Sequence, residues 1–169
     1  MKTKMKSISG YTLLELMITV VIIGIVTTMA VPRFSIAYDR MQFRTANRDI
    51  ISTIRTARST AISNKAVCGV HFDASTKVLS VFRKAPASTN PILFESGDSL
   101  LSADTLSSTF ATITTDLANS VMSFKPNGSA IYVGGGNIVT LTYTDDLVGI
   151  YEINVLASTG RVSSQGYYY

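Results

Sequence analysis

Glu15 stands inside an apolar run, and Gly10 stands five positions before it, behind Lys2, Lys4 and Lys6. A lone carboxylate at the centre of a membrane helix costs on the order of 3 kcal/mol, and less near an end. A plain anchor leaves that acid unexplained. The other residues with chemical potential lie far along the chain and converge poorly. Cys68 and His71 are the only cysteine and the only histidine. Strand alternation sends Cys68, Val70 and Phe72 to one side and His71 to the other, so neither a thiol–imidazole pair nor a metal site forms. Gly134-Gly135-Gly136 has no following Lys-Ser/Thr and reads as a turn, not a phosphate loop. Asp145-Asp146 could take calcium weakly, but a solvated loop is the default reading. The expectation is a non-enzyme with no catalytic residue, no metal and no cofactor.

The elements that carry these residues follow from composition and period. The 169 residues are 46% hydrophobic and only 15% charged, and much of that bias lies in the first 32 positions. Leu16 to Pro32 carries no formal charge. As a helix it spans about 25 Å, slightly short of a hydrocarbon core of about 30 Å. Adding Tyr11 to Leu14 makes the length sufficient and puts Glu15 in the lipid. A small-residue cleavage site of the secretory kind is weak here, the nearest candidate being Thr27–Ala30 before Val31 and Pro32. Beyond Pro32, expected to kink the helix, Ala46, Ile50, Ile54, Ala57 and Ala61 make one apolar stripe. Beside it Arg33, Arg40, Arg44, Arg48, Arg55, Arg58 and Lys65 share about 100° of arc. They read as a solvated face, as an interface with acidic neighbours or with lipid headgroups at Arg33 and Arg40, or, less favoured because packing covers half the arc, as a DNA-facing stripe.

After Asn64 the period becomes alternating. Strands are expected at 66–72 and 77–83, as a hairpin, and at 92–94, 121–124, 130–133, 138–144 and 150–156. Residues 85–120 read as irregular crossings with short elements. The fold class is α+β: a long N-terminal helix whose C-terminal half packs on an antiparallel β-sheet head. The formal charge is +4 overall, yet residues 66–169 hold five basic against eight acidic groups. That balance argues against a general nucleic-acid binder.

The basic leader, Gly10, Tyr11, Thr12-Leu13-Leu14, Glu15 and the apolar run to Pro32 resemble the class III signal of type IV pilins and type II secretion pseudopilins. The resemblance implies cleavage of residues 1–10 after Gly10 by a prepilin peptidase, which also N-methylates Tyr11. Phenylalanine is commoner at that position in the family. If the chain is cut after Gly10, Tyr11 carries an α-amino cation and Glu15 sits one helical turn away, on the same face at i, i+4 spacing. In a filament, Glu15 would receive a neighbour's terminal amine as a docking handle. Ala57-Arg58-Ser59-Thr60-Ala61-Ile62, Phe124-Lys125-Pro126-Asn127-Gly128 and Ser158-Thr159-Gly160-Arg161-Val162 resemble segments of the GspH/FimT family of minor pilins and pseudopilins. The DNA-uptake members of that family carry Gly-Arg-x-Arg, whereas Ser163 stands here where the second arginine would be. Arg161 is left as a weak DNA or partner contact, and nucleic acid is not an expected partner. Gln165–Tyr169 offers aromatics for a neighbouring subunit or for base stacking.

Four segments are therefore expected: leader 1–10, transmembrane and assembly helix 11–32, amphipathic helix 33–65 and head 66–169. The expected role is a structural minor pseudopilin of a type II secretion-like filament. A FimT-like type IV pilus subunit, with or without DNA uptake, and an unrelated single-pass anchored domain are the alternatives. Expected partners are the prepilin peptidase/N-methyltransferase, other pilin subunits, the inner-membrane assembly platform and the lipid bilayer. The expected location is the bacterial inner membrane, single-pass with a periplasmic head, before transfer into a filament.

Overall fold

The structure, a computed structural model, describes residues 11–86, 88, 90, 92–106, 112–131, 138–142 and 149–167. Gly10, Gly134–Gly136, Asp145, Asp146, Tyr168 and Tyr169 lie outside the described residues. The chain divides into two compact units, Met1–Tyr38 and Asp39–Tyr169.

In the first unit a helix, α1, begins at Leu13; it ends at Asn64 in the second. Thr12 is its N-cap residue: the hydroxyl accepts the Glu15 N–H at 3.2 Å, and the Thr12 carbonyl accepts the Leu16 N–H. Thr12-Leu13-Leu14-Glu15 is thus a capping-box sequence, with the acid at the third helical position, where the helix dipole favours it. Tyr11 precedes the cap. The expected helical i, i+4 pairing of Tyr11 with Glu15 is corrected accordingly, because the cap starts the helix two residues later. Large apolar side chains from Leu13 to Phe34 are all more than half exposed, and α1 is long and apolar enough here to cross a membrane. Pro32 lies inside the helix, which continues through it; the Thr28 carbonyl loses its usual N–H donor there.

In the second unit α1 presents the expected stripe. Phe43, Ala46, Ile50, Ile54, Ala57 and Ala61 are buried and join one core with apolar residues of the strands. The helix ends at Asn64, one residue before the expected bound at 65, and Lys65 takes φ 50°. Lys65 therefore leaves the helical arc assigned to the basic residues.

Two antiparallel sheets complete this unit. The first has the order β3-β2-β1-β5-β6, with β1 Cys68–Asp73, β2 Val78–Arg83, β3 Ser99–Thr105, β5 Val121–Phe124 and β6 Ala130–Ile131. The second has the order β4-β7-β8-β9, with β4 Thr112–Thr115, β7 Ile138–Thr142, β8 Ile150–Leu156 and β9 Arg161–Tyr167. The β1–β2 hairpin forms where expected, closed by Asp73, whose carboxylate accepts the Ser75 N–H, the Ser75 hydroxyl and the Thr76 N–H.

Three strands, β3, β4 and β9, were not expected. Residues 92–94 are not a strand but part of a turn-rich loop. Lys84 organises that loop: its ammonium donates to Asp98 Oδ2 at 2.8 Å, to Glu95 Oε2 at 3.3 Å and to the Leu93 carbonyl. Phe94 then packs on His71 and Phe82, with ring centroids 5.6 and 5.0 Å apart. The apolar triplet at this position is a partly exposed loop, not a pleated strand.

Candidate functional site

The three segments singled out in the head meet at one place. Arg58, half-buried on α1, donates from Nε to the Gly128 carbonyl at 3.0 Å, across 70 positions of sequence. Gly128 takes φ +82° in the turn after β5. Asn127 holds that turn by accepting the Ser129 N–H and hydroxyl, and the Gly128 N–H donates to the Lys125 carbonyl. Gly160, at φ +64° in the β8–β9 turn, lies so close that a side chain there would run into the Gly128 carbonyl and the Arg58 guanidinium. Both glycines are required, by positive φ and by close approach. A backbone hydrogen bond from Ala130 to Ala157 ties the two turns together at 2.9 Å. Arg58 was marked in the sequence by the Ala57–Ile62 resemblance and by its place on an amphipathic helix, but its contact with Gly128 was not.

Beside this junction runs a groove of about 860 Å³. Its helical wall includes Arg55, Arg58 and Ser59, and its other wall includes Thr159 and Arg161. Arg161 is exposed, and no ion pair is made by Arg55, Arg58 or Arg161 among the described residues. The groove can therefore receive carboxylates or phosphates. Ser163 lies two residues along β9 from Arg161, on the same strand face by alternation, and its hydroxyl is 3.5 Å from the Asn154 carbonyl.

No catalytic arrangement appears among the described residues. Cys68 is buried, and burial pushes its thiol up, away from the reactive thiolate. His71 stacks on Phe94 from the other strand face. No group of three or more His, Cys, Asp or Glu side chains could hold a metal ion among the described residues. The most buried charges form the Lys84 clasp. Burial alone would raise the Asp98 carboxyl, but the hydrogen bonds from Lys84 and the Glu95 and Ala85 N–H groups bring it below the ordinary value. Glu95 is held low chiefly by the Ser88 hydroxyl, then by Lys84.

Comparison with protein families supplies the class and then the family. Residues 5–31 match the prokaryotic N-terminal methylation motif. With α1 and the sheet-packed head, this defines a type IV pilin-like protein, and the motif implies prepilin peptidase processing and assembly with other pilins. Residues 46–163 match the model of type II transport protein GspH, and the chain belongs to that family. All three converging segments fall within that match. The role is thus that of a minor pseudopilin or pilin, in type II secretion or in type IV pili, and the family is a structural one. The motif and the apolar helix fit an inner-membrane anchor. No curated protein and no solved structure matches the chain.

Proposed function

We propose that the chain is a minor pseudopilin of a short envelope filament that drives type II secretion-like protein export. One observation carries the reading above the rest. A methylation motif that covers the exposed apolar start of α1 is followed along the same chain by a GspH match. In this reading the peptidase cuts after Gly10 on the cytoplasmic side and methylates Tyr11. Residues 11–32 then hold the subunit in the inner membrane with its head in the periplasm. The assembly platform draws it into the filament, where Glu15 pairs with a neighbour's Tyr11 amine. Pro32 is the point at which the helix bends, since it removes one backbone hydrogen bond. Catalysis has no part in this role.

The direct test is a chromosomal deletion complemented by the natural gene. Loss of exported substrate with pili and their motility intact supports the proposal. Loss of pili with export intact assigns the chain to the FimT-like pilus reading instead.

The basic groove favours one second reading, a DNA contact during uptake. Three guanidinium groups are few for phosphate binding, so duplex DNA should bind weakly and the binding should fade as salt rises. Ser163→Arg should strengthen it, because the new cation shares a strand face with Arg161. Micromolar or tighter binding by the natural chain at physiological salt, lost in Arg161→Ala, would move the protein into the DNA-uptake class.

A further inference from the structure

β3 is the outer strand of the first sheet: β2 pairs with one side of it, and no described strand pairs with the other. All seven of its residues are exposed. The register shows which backbone groups face outward. The Leu106 N–H donates to the Lys77 carbonyl at 3.0 Å, one step past the Val78–Thr105 pair, so Leu106 turns its backbone to β2. Hydrogen-bonded positions alternate along an antiparallel pair. Asp104 and Ser102 therefore also bond to β2, while Ala103 and Thr105 turn their N–H and C=O groups away from it. These groups stand at the open edge as a template for an added strand. Leu101 has no partner on β2, because the register shifts between Val81 and Phe82, and it ends the regular stretch. Lysine and proline, which commonly block such an edge, are absent from Ser99–Thr105.

The chemistry beside the edge selects what pairs with it. Asp104 shares a depression of about 310 Å³ with Asp49, which is exposed on α1. Neither carboxylate has an ion pair among the described residues. Burial, and then the charge of Asp104, push the Asp49 carboxyl up, so the two acids gain from a cation brought between them. Exposed Leu100 and Leu101 offer apolar contact at the other end of the strand. Asp49 and Arg58 are nine residues apart, about 180° around the helix, so the acidic depression and the arginine groove lie on opposite flanks. The remaining edges fit such a ligand less well. β6 has two residues and β4 has four, and β9 begins at Arg161, beside the groove, where the charge is positive.

We infer that β3 receives an extended basic segment of another protein as an added strand, its backbone paired with Ala103 and Thr105 and a lysine or arginine seated at Asp49 and Asp104. The main-chain bonds supply the affinity, and the two acids select the charge of the segment. The edge pairs only with extended backbone, so the partner contributes a flexible stretch of chain and not a folded head. Ordering that stretch costs part of the binding energy, which makes the contact weak and reversible.

The test uses the full-length chain in detergent and a fluorescent synthetic peptide, about as long as β3, that alternates lysine with valine. A second peptide has the same sequence with its backbone nitrogens methylated, which keeps the charge and removes the donors. A third has glutamate in place of lysine. The first should bind with a Kd below about 1 mM. Amide exchange, read by mass on fragments of the chain, should then slow in Ser99–Thr105 and not in β9. The methylated and the glutamate peptides should each bind about tenfold more weakly or worse. Ala103→Pro removes an outward N–H and no bond to β2, and should weaken the first peptide by about tenfold. Asp49→Asn with Asp104→Asn should weaken it severalfold. No binding at about 1 mM overturns the inference. So does equal binding of the methylated peptide, which means attraction by charge alone, or protection of β9 in place of β3. These three outcomes are read on the natural chain, so they stand even where Ala103→Pro fails to fold. Undiminished binding by a folded Ala103→Pro chain overturns it as well.

Discussion

Glu15 has two separable tasks, and a single atom distinguishes them. As the third helical residue it has its N–H capped by the Thr12 hydroxyl, and its side chain stands at the acidic position of a capping-box sequence. As a carboxylate in an apolar segment it is the docking handle of the proposed filament. Glu15→Gln keeps an amide that can serve the cap but removes the charge. Membrane insertion should therefore be unimpaired or eased, while co-assembly with natural subunits falls at least severalfold. Crosslinking that shows equal incorporation of Glu15→Gln would leave only the cap. Thr12→Val is the converse: it should cost the helix start about 1 kcal/mol and leave docking largely intact.

Lys84 is the other residue whose replacement has a definite sign. Its partner Asp98 has a side chain fully shielded from solvent. Lys84→Met should destabilise the head by about 3 kcal/mol, because it strands a buried carboxylate. The pH dependence follows from the depressed Asp98 and Glu95 carboxyls. Below their ordinary values, near 4, the unfolded chain binds more protons than the folded one. The clasp's contribution is thus fully present above about pH 5 and is lost as pH falls through the folded values. Thermal unfolding of natural and Lys84→Met protein between pH 3 and 7 checks both statements. A natural protein no less stable at pH 3 than at pH 7 would contradict the second.

At the scale of elements, the amphipathic half of α1 was the most legible part. Ala46, Ile50, Ile54, Ala57 and Ala61 announced a buried stripe by spacing alone, and all five are buried. The hairpin at 68–83 was legible for the same reason, a clear period of two. β3 was not: it is exposed along its whole length, so no face selects apolar residues. β9 is an edge strand written mostly in Ser, Gln and Gly, again with little burial to pattern it. Residues 92–94 read as a strand because three apolar residues in a row mimic one. Their order comes instead from a lysine before them and an aspartate after them. The Thr12–Glu15 cap was visible in the sequence as Thr-x-x-Glu and went unread beside the stronger leader signal. The Arg58–Gly128–Gly160 junction was beyond sequence reasoning, since its parts are distant in the chain. Gly160→Ala should lower stability by about 2 kcal/mol or more, through positive φ and collision with the Gly128 carbonyl. Gly97→Ala, where nothing lies near the new carbon, is the control and should change little. Equal denaturation midpoints for the two variants would deny the junction its structural role.

The whole molecule divides its work between two units. One supplies an exposed apolar helix, suited to lipid or to the interior of a filament. The other supplies a head pinned at one junction, with surfaces of opposite charge on two flanks. The division explains why a net charge of +4 is a poor guide to partners. Three lysines belong to the proposed leader, and the remaining excess is concentrated on one arc of the helix. The account's central claim is that this chain enters the membrane as a pilin precursor, and the mass of the mature protein tests it most directly. Co-expression with an active prepilin peptidase should yield a chain beginning at Tyr11 and carrying one added methyl group at its amine. Replacing Gly10 with a bulky residue should abolish both changes. An intact leader in the presence of active peptidase, or a chain cut after Ala30, would contradict the account.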